Sequence, residues 1–145
     1  MSDIDAASAR TAVAVRATYI AFIGAGFAFA SWASRIPQVR DRLELTSSQL
    51  GIVLLAIAVG SLLALPMSGI IINRFGSRLT VTVMSLVLAV GLTIIASGYL
   101  VGVVPLLIGL FVLGFANGAW DVAMNVHGAV AERRLGRSIM PRFHA

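Results

Sequence analysis

Three long stretches of the 145-residue sequence carry no Asp, Glu, Lys or Arg. They cover residues 17–34, 45–73 and 79–120, which are 18, 29 and 42 residues long. A helix that spans the hydrocarbon core of a bilayer needs about 20 apolar residues. These stretches therefore predict a chain that is integral to a membrane.

The composition excludes the soluble classes of protein. Hydrophobic residues make up 59% of the chain and charged residues 12%, whereas a soluble domain has about 45–50% and about 25%. So few charges cannot cover the surface of a water-soluble globule, which excludes a soluble enzyme, a coiled coil and a disordered tail. Cysteine is absent, which excludes a disulfide scaffold and thiolate metal sites. We expect no cofactor.

The longest uncharged stretch must fold back on itself, because a single helix of its length would run roughly 63 Å. Turn-forming residues at Ser97-Gly98-Tyr99, Gly102 and Pro105 indicate where it breaks. Lipid offers no partners for unpaired strands, so the spans should be helical. We predict an all-α membrane protein with four transmembrane helices, at about residues 14–34, 49–72, 79–97 and 103–130.

The charged segment between the first two predicted helices should be a hydrated loop. It contains five charged residues and Pro37, which is expected to help end the first helix. Thr46 and Gln49 have the spacing of a capping box and should begin the second helix.

The distribution of Arg predicts the orientation. If the spans alternate, eight Arg residues share one side: Arg10, Arg16, Arg74, Arg78, Arg133, Arg134, Arg137 and Arg142. Three lie on the other side: Arg35, Arg40 and Arg42. The positive-inside rule then places both termini in the cytoplasm. The rival interpretation is a signal peptide cleaved after Ala30, although the apolar stretch is longer than a usual signal core.

A polar stripe interrupts the fourth predicted helix. Asn117, Asp121 and Asn125 recur every fourth residue and so share one helix face. A carboxylate costs about 2.5–3.5 kcal/mol to insert at the bilayer centre, so Asp121 should face the helix bundle or a water-filled cavity. It either binds substrate or protons, or pairs with a cation or hydroxyl on another helix; Arg35 is the nearest candidate cation.

Two other side chains of this helix have alternative interpretations. Trp120 is either a wall of a substrate site or a lipid-facing ring. His127 is either solvated near the membrane surface or part of a proton relay.

Small residues recur at every fourth position on several predicted helices. Helix two carries Ala56, Gly60, Ala64 and Ser68, and helix four carries Gly114 and Gly118. Such rows let helix backbones approach closely in lipid. We expect these helices to pack against one another.

The segment GIIINRFGSRL, residues 69–79, joins predicted helices two and three. It resembles the loop signature of the major facilitator superfamily, which Gly69, Arg74, Gly76 and Arg78 match. Asn73 stands where that family usually has Asp. Further likeness in RIPQVRDRL, NGAWDVAMN and ERRLGR resembles the branch of fucose-permease-like sugar:proton symporters.

This resemblance implies secondary active transport of a small solute by alternating access, and not enzymatic catalysis. It implies that Asp121 and Asn125 match a proton-titrating carboxylate and its Asn partner, although the acidic residue of fucose permeases in helix one has no counterpart here. Members have twelve spans, so residues 1–145 are expected to be an N-terminal fragment from the inner membrane. The resemblance also implies that the loop motif stabilises one conformation of the transporter by contacts with its other half.

The expected partners follow from this interpretation. They are the lipid bilayer, a small-molecule substrate, protons, and either the missing C-terminal helices or a second copy of the chain. The net charge of +5 is interpreted as basic helix ends facing anionic lipid rather than nucleic acid. Two alternatives stay open: a fragment or subunit that transports nothing, and a four-helix multidrug antiporter.

Overall fold

The computed structural model describes residues 3–135, and all of its regular structure in this range is α-helical. Helix α1 covers Asp3–Ala33, α2 covers Ile36–Arg42, α3 covers Ser47–Val101 and α4 covers Val103–Leu135. Three helices in this range are long and apolar enough to cross a membrane. The all-α membrane class predicted from the sequence is confirmed.

Helix α3 consists of two arms that meet at Gly76. Its 55 residues would extend about 82 Å if the helix were straight, but Gly76 has a non-helical backbone with φ 80° and ψ 155°. Only glycine adopts this region readily, because it has no Cβ. We call residues 47–75 the first arm and residues 77–101 the second arm.

The first arm runs parallel to α4. A Cβ on Gly114 would overlap the backbone of Ile57, and a Cβ on Gly118 would lie 3.2 Å from that of Ala64. Positions along the two helices thus increase together. The hydroxyl of Ser61 also donates to the carbonyl oxygen of Gly114, at 2.9 Å.

The second arm runs antiparallel to α4. A Cβ on Gly91 would lie 3.0 Å from the backbone nitrogen of Leu113, whereas one on Gly98 would lie 2.5 Å from that of Leu106. Since the two arms run in opposite directions along α4, the chain reverses at Gly76. This reversal lies where the sequence predicted the connection between helices two and three.

The predicted small-residue row on the first arm is a packing surface. Gly60, Ala64 and Ser68 are buried, and a Cβ on Gly60 would overlap the carbonyl oxygen of Phe111 on α4. The row therefore packs on α4, where Ala64 contacts Gly118, and the close packing expected of these small residues is present.

Helix α1 packs less completely on the other helices. Ala25, Ala28 and Trp32 are buried, and Gly24 accommodates the ring of Trp120, to which an added Cβ would approach within 3.7 Å. The remaining face of α1 is open, and its large apolar side chains are exposed at Val13, Ile20, Ile23 and Phe27.

The structure corrects two predicted connections. The segment after α1 is not a loop throughout, because residues Ile36–Arg42 form α2, and Pro37 stands in its first turn rather than only ending α1. Proline is well tolerated there, since the first helical N–H groups have no partners within the helix.

The predicted break before the fourth helix is correct at Gly102 and wrong at Gly98. Gly98 is a buried helical residue that packs against Leu106, and α3 ends at Val101 rather than Ser97. The reversal before α4 takes place at Gly102, which has φ 143°.

The predicted capping box is confirmed at the start of α3. The backbone nitrogen of Thr46 donates to Gln49 Oε1 at 2.8 Å, and the backbone nitrogen of Gln49 donates to Thr46 Oγ1 at 3.3 Å. The helix begins at Ser47, two residues before the predicted start.

Candidate functional site

The polar stripe of α4 surrounds one exposed carboxylate. Asp121 is exposed, whereas Asn117 and Asn125 are half-buried. The amide nitrogen of Asn125 donates to the backbone carbonyl oxygen of Asp121 at 2.8 Å and to its Oδ1 at 3.2 Å. The stripe therefore presents an acceptor group held by a neighbouring amide.

The buried faces of α4 lie next to this stripe. Ala116, Ala119, Ala123 and Met124 are buried within the described residues. Asp121 thus projects from a packed helix without being enclosed by it. The sequence predicted a carboxylate facing the bundle or a cavity, and in these four helices it faces an open side.

Trp120 is part of the packed interior. It is 6% exposed and its ring lies against Gly24 of α1. Its indole nitrogen Nε1 is buried without a hydrogen-bond partner among the described residues. The ring is therefore not lipid-facing in this structure, and it joins α4 to α1 directly beside Asp121.

Arg35 lies apart from the stripe. It occupies the position just before α2, and its Nη1 donates to the backbone carbonyl oxygen of Ser31 at 2.6 Å. With Trp32 and Tyr99 it lines a cleft of about 810 Å³ at the end of the helices near Gly102. The structure does not bring Arg35 and Asp121 together.

The loop-motif residues lie at the other end of the helices, around Gly76. Asn73, Arg74 and Arg78 are exposed, and the guanidinium carbon of Arg74 lies 5.7 Å from the centroid of the Phe75 ring. Gly76 is required by its backbone conformation. Gly69 is exposed with open space around it.

A second cleft, of about 580 Å³, opens near Gly76 between α1, the second arm and α4. Thr18, Ser77, Arg78 and His127 are among its lining residues. Ser77 Oγ and His127 Nδ1 are hydrogen-bonded at 3.3 Å. Sequence reasoning missed Ser77 and Thr18, because no spacing pattern joins residues from three separate helices.

Comparison with known proteins finds two proteins named as transporters and one named as a membrane protein. An uncharacterised MFS-type transporter of Yersinia pestis is 35% identical over 127 residues, which cover 88% of this chain and 33% of that protein. An uncharacterised transporter of Sinorhizobium fredii is 33% identical over 125 residues, covering 86% of this chain and 32% of the relative. The membrane protein MosC of Rhizobium meliloti is 31% identical over 119 residues, covering 82% and 29%.

No family model and no solved structure matches the chain. The chain spans about a third of the length of the curated relatives that it matches. The transporter relatives and the long apolar helices together support a multi-pass membrane protein. Over most of its own length, the chain is similar to about a third of a protein named as an MFS-type transporter.

Proposed function

We propose that this chain contributes the N-terminal helices of a major facilitator transporter that moves a small solute by alternating access. The transporter-named relatives support this proposal, as does the resemblance of residues 69–79 to the family's loop signature. The mechanism is transport rather than catalysis.

The observation that carries the proposal is the exposed carboxylate of Asp121 on an apolar helix. Inserting a carboxylate into a membrane costs free energy, so such residues are rare. Where they occur in transporters, they mark sites that bind protons or substrate. In these helices the side chain faces an open side of α4, where further helices of a complete transporter would enclose a cavity. Asn117 and Asn125, one turn away on each side, offer amide groups for the hydroxyls of a sugar-like solute.

The proposed coupling is to protons. Asp121 would take up a proton from one side of the membrane and release it to the other as the cavity changes its opening. Trp120 would hold α4 against α1 beside this carboxylate, so that both helices move as one body. Arg35 contributes no charge to this site, because it lies at the end of α1.

The proposed orientation places the Gly76 end in the cytoplasm, together with both termini, in the inner membrane. The loop signature would then act at the cytoplasmic face. Its Asn73 can donate and accept hydrogen bonds but carries no charge. Contacts of Asn73 with basic groups or helix ends would therefore stabilise one conformation of the transporter less than contacts of the usual Asp.

The experiment uses a chimaera in which residues 1–145 replace the matching third of the Yersinia pestis relative. The chimaera is reconstituted in liposomes that contain a pH-sensitive dye, and a panel of monosaccharides is added outside. We expect at least one sugar to drive proton uptake. Asp121→Asn should abolish this uptake while sugar exchange continues.

The matched control is Asp41→Asn, which changes an exposed carboxylate on α2 outside the proposed site. It should leave proton uptake unchanged. If Asp121→Asn still accumulates sugar in a pH-dependent way, then Asp121 is a structural group. If no sugar produces flux, then sugar:proton coupling is wrong for this chain.

The alternative function is a membrane fragment or subunit that does not itself transport. The open apolar face of α1 favours this alternative for residues 1–145 taken alone, because no helix within residues 3–135 covers that face. The isolated chain in liposomes should therefore show no saturable uptake. Saturable uptake by the isolated chain would instead support a small antiporter.

A further inference from the structure

We infer that the cleft at the Gly102 end of the helices binds one anionic phospholipid from the adjoining leaflet. The cleft of about 810 Å³ lies between the end of α1, α2 and the second arm of α3. Its volume is within the usual range of about 300–1,000 Å³ for small-molecule sites. It is separate from Asp121 and does not depend on the proposed transport.

The end of the cleft nearest the membrane surface is polar. Ser31, Arg35, Gln38 and Tyr99 line it there, at or near the ends of their helices. Arg35 uses Nη1 to bond the carbonyl oxygen of Ser31, which leaves further N–H donors of its planar guanidinium for a ligand. No acidic residue is among the lining residues of this cleft, so its charge suits an anion.

Trp32 forms part of the inner wall of the cleft. It is 2% exposed and its Nε1 is buried, so its ring packs against protein and does not offer a donor to a ligand in the cleft. The donors available to a headgroup are therefore those of Arg35.

The deeper part of the cleft is apolar. Phe27, Leu92 and Ile95 line it. Phe27 stands six residues before the last residue of α1, or roughly 9 Å from that end of the helix. Phe27 and Leu100 are exposed at the sides of the cleft. A polar end beside an apolar groove matches a charged headgroup followed by an acyl chain, which also matches the polarity gradient of a bilayer leaflet.

Native mass spectrometry of residues 1–145, released from detergent, tests this site. Phosphatidylglycerol and phosphatidylcholine are titrated separately, and glycerol 3-phosphate tests whether a free anion suffices. We expect one phosphatidylglycerol to bind with preference over phosphatidylcholine, and glycerol 3-phosphate not to displace it. Equal binding of both lipids, or displacement by glycerol 3-phosphate, would contradict the inference.

Two Arg variants localise the binding. Arg35→Gln should weaken phosphatidylglycerol binding about fivefold, the usual effect of one basic residue at an anionic surface. Arg40→Gln is the matched control, because Arg40 is exposed on α2 but does not line the cleft, and it should retain the affinity. Equal losses in both variants would mean general attraction of the lipid to positive charge.

The phosphatidylglycerol titration is repeated on the chimaera with the Yersinia pestis relative, to test whether helices of the complete transporter cover the cleft. Loss of lipid there would overturn the inference, since the occupant would then be another helix.

Discussion

Asn125 donates its side-chain amide to Asp121 one turn earlier on α4, at 2.8 Å from the backbone carbonyl oxygen and 3.2 Å from Oδ1 of the carboxylate. The amide thus fixes the orientation of an exposed carboxylate. Under the proposed function, a solute that hydrogen-bonds Asn125 would have to share or displace this contact, and its binding would then depend on the protonation and orientation of Asp121.

The first prediction is that Asn125→Ala weakens solute binding in the chimaera without abolishing coupling. A lost hydrogen bond to the solute corresponds to an increase in apparent KM of about tenfold. Sugar-driven proton uptake should persist, because Asp121 is retained. Initial rates over a range of sugar concentrations measure both quantities. An unchanged KM would mean that Asn125 serves Asp121 alone, and Asn73→Ala in the loop is the control.

The second prediction concerns the contact between the first arm of α3 and α4. A methyl group on Gly60 would overlap the backbone of Phe111, so Gly60→Ala must separate two helices. We expect destabilisation of about 1–3 kcal/mol, as for other overpacked contacts. Thermal unfolding in detergent, followed by circular dichroism, measures the change.

Gly69→Ala is the matched control for this contact, because Gly69 is on the same arm with open space around it. It should leave the stability unchanged or raise it slightly, since Ala favours helix more than Gly. Equal melting temperatures for the two variants would show that the arms are not held as the structure places them.

The third prediction concerns the reversal at Gly76. Gly76→Ala adds a Cβ to a backbone with φ 80° and ψ 155°, a conformation that costs about 1–3 kcal/mol for other residues. Nothing lies within 4 Å of the added atom, so the effect is one of backbone strain alone. Trypsin cleavage after Arg74 and Arg78 should become faster than in Gly69→Ala. Unchanged cleavage would mean that this conformation is not required.

The fourth prediction concerns topology. Reporter fusions after Glu44 and Gly102 should behave as periplasmic, whereas a fusion after Gly76 should behave as cytoplasmic. The physical reason is the excess of Arg at the Gly76 end, which the positive-inside rule retains in the cytoplasm. The opposite pattern would reverse the proposed orientation, and cleavage after Ala30 would support the signal-peptide interpretation.

The sequence by itself determined the membrane class, the helical content and several helix ends. The long uncharged stretches place the chain in lipid. An open strand edge has no hydrogen-bond partners there, so these stretches must form helices. Two local features could be predicted because they involve residues close together in the sequence. They are the capping box of Thr46 and Gln49 and the turn at Gly76. The small-residue row with Gly60 predicted a packing face for the same reason, since its spacing is that of one helix side.

Only the tertiary structure decided which helix faces meet. Gly98 is a residue type typical of turns, but in the structure it lies within a helix and packs closely on Leu106. The second arm of α3 runs antiparallel to α4 and brings the backbones of these two helices together there. Trp120 lies in the packed interior, Arg35 lies between α1 and α2 and away from the stripe on α4, and Ser77 is hydrogen-bonded to His127. These relationships join residues distant in sequence, and helix periodicity determines the side on which a residue lies but not the neighbour that it meets.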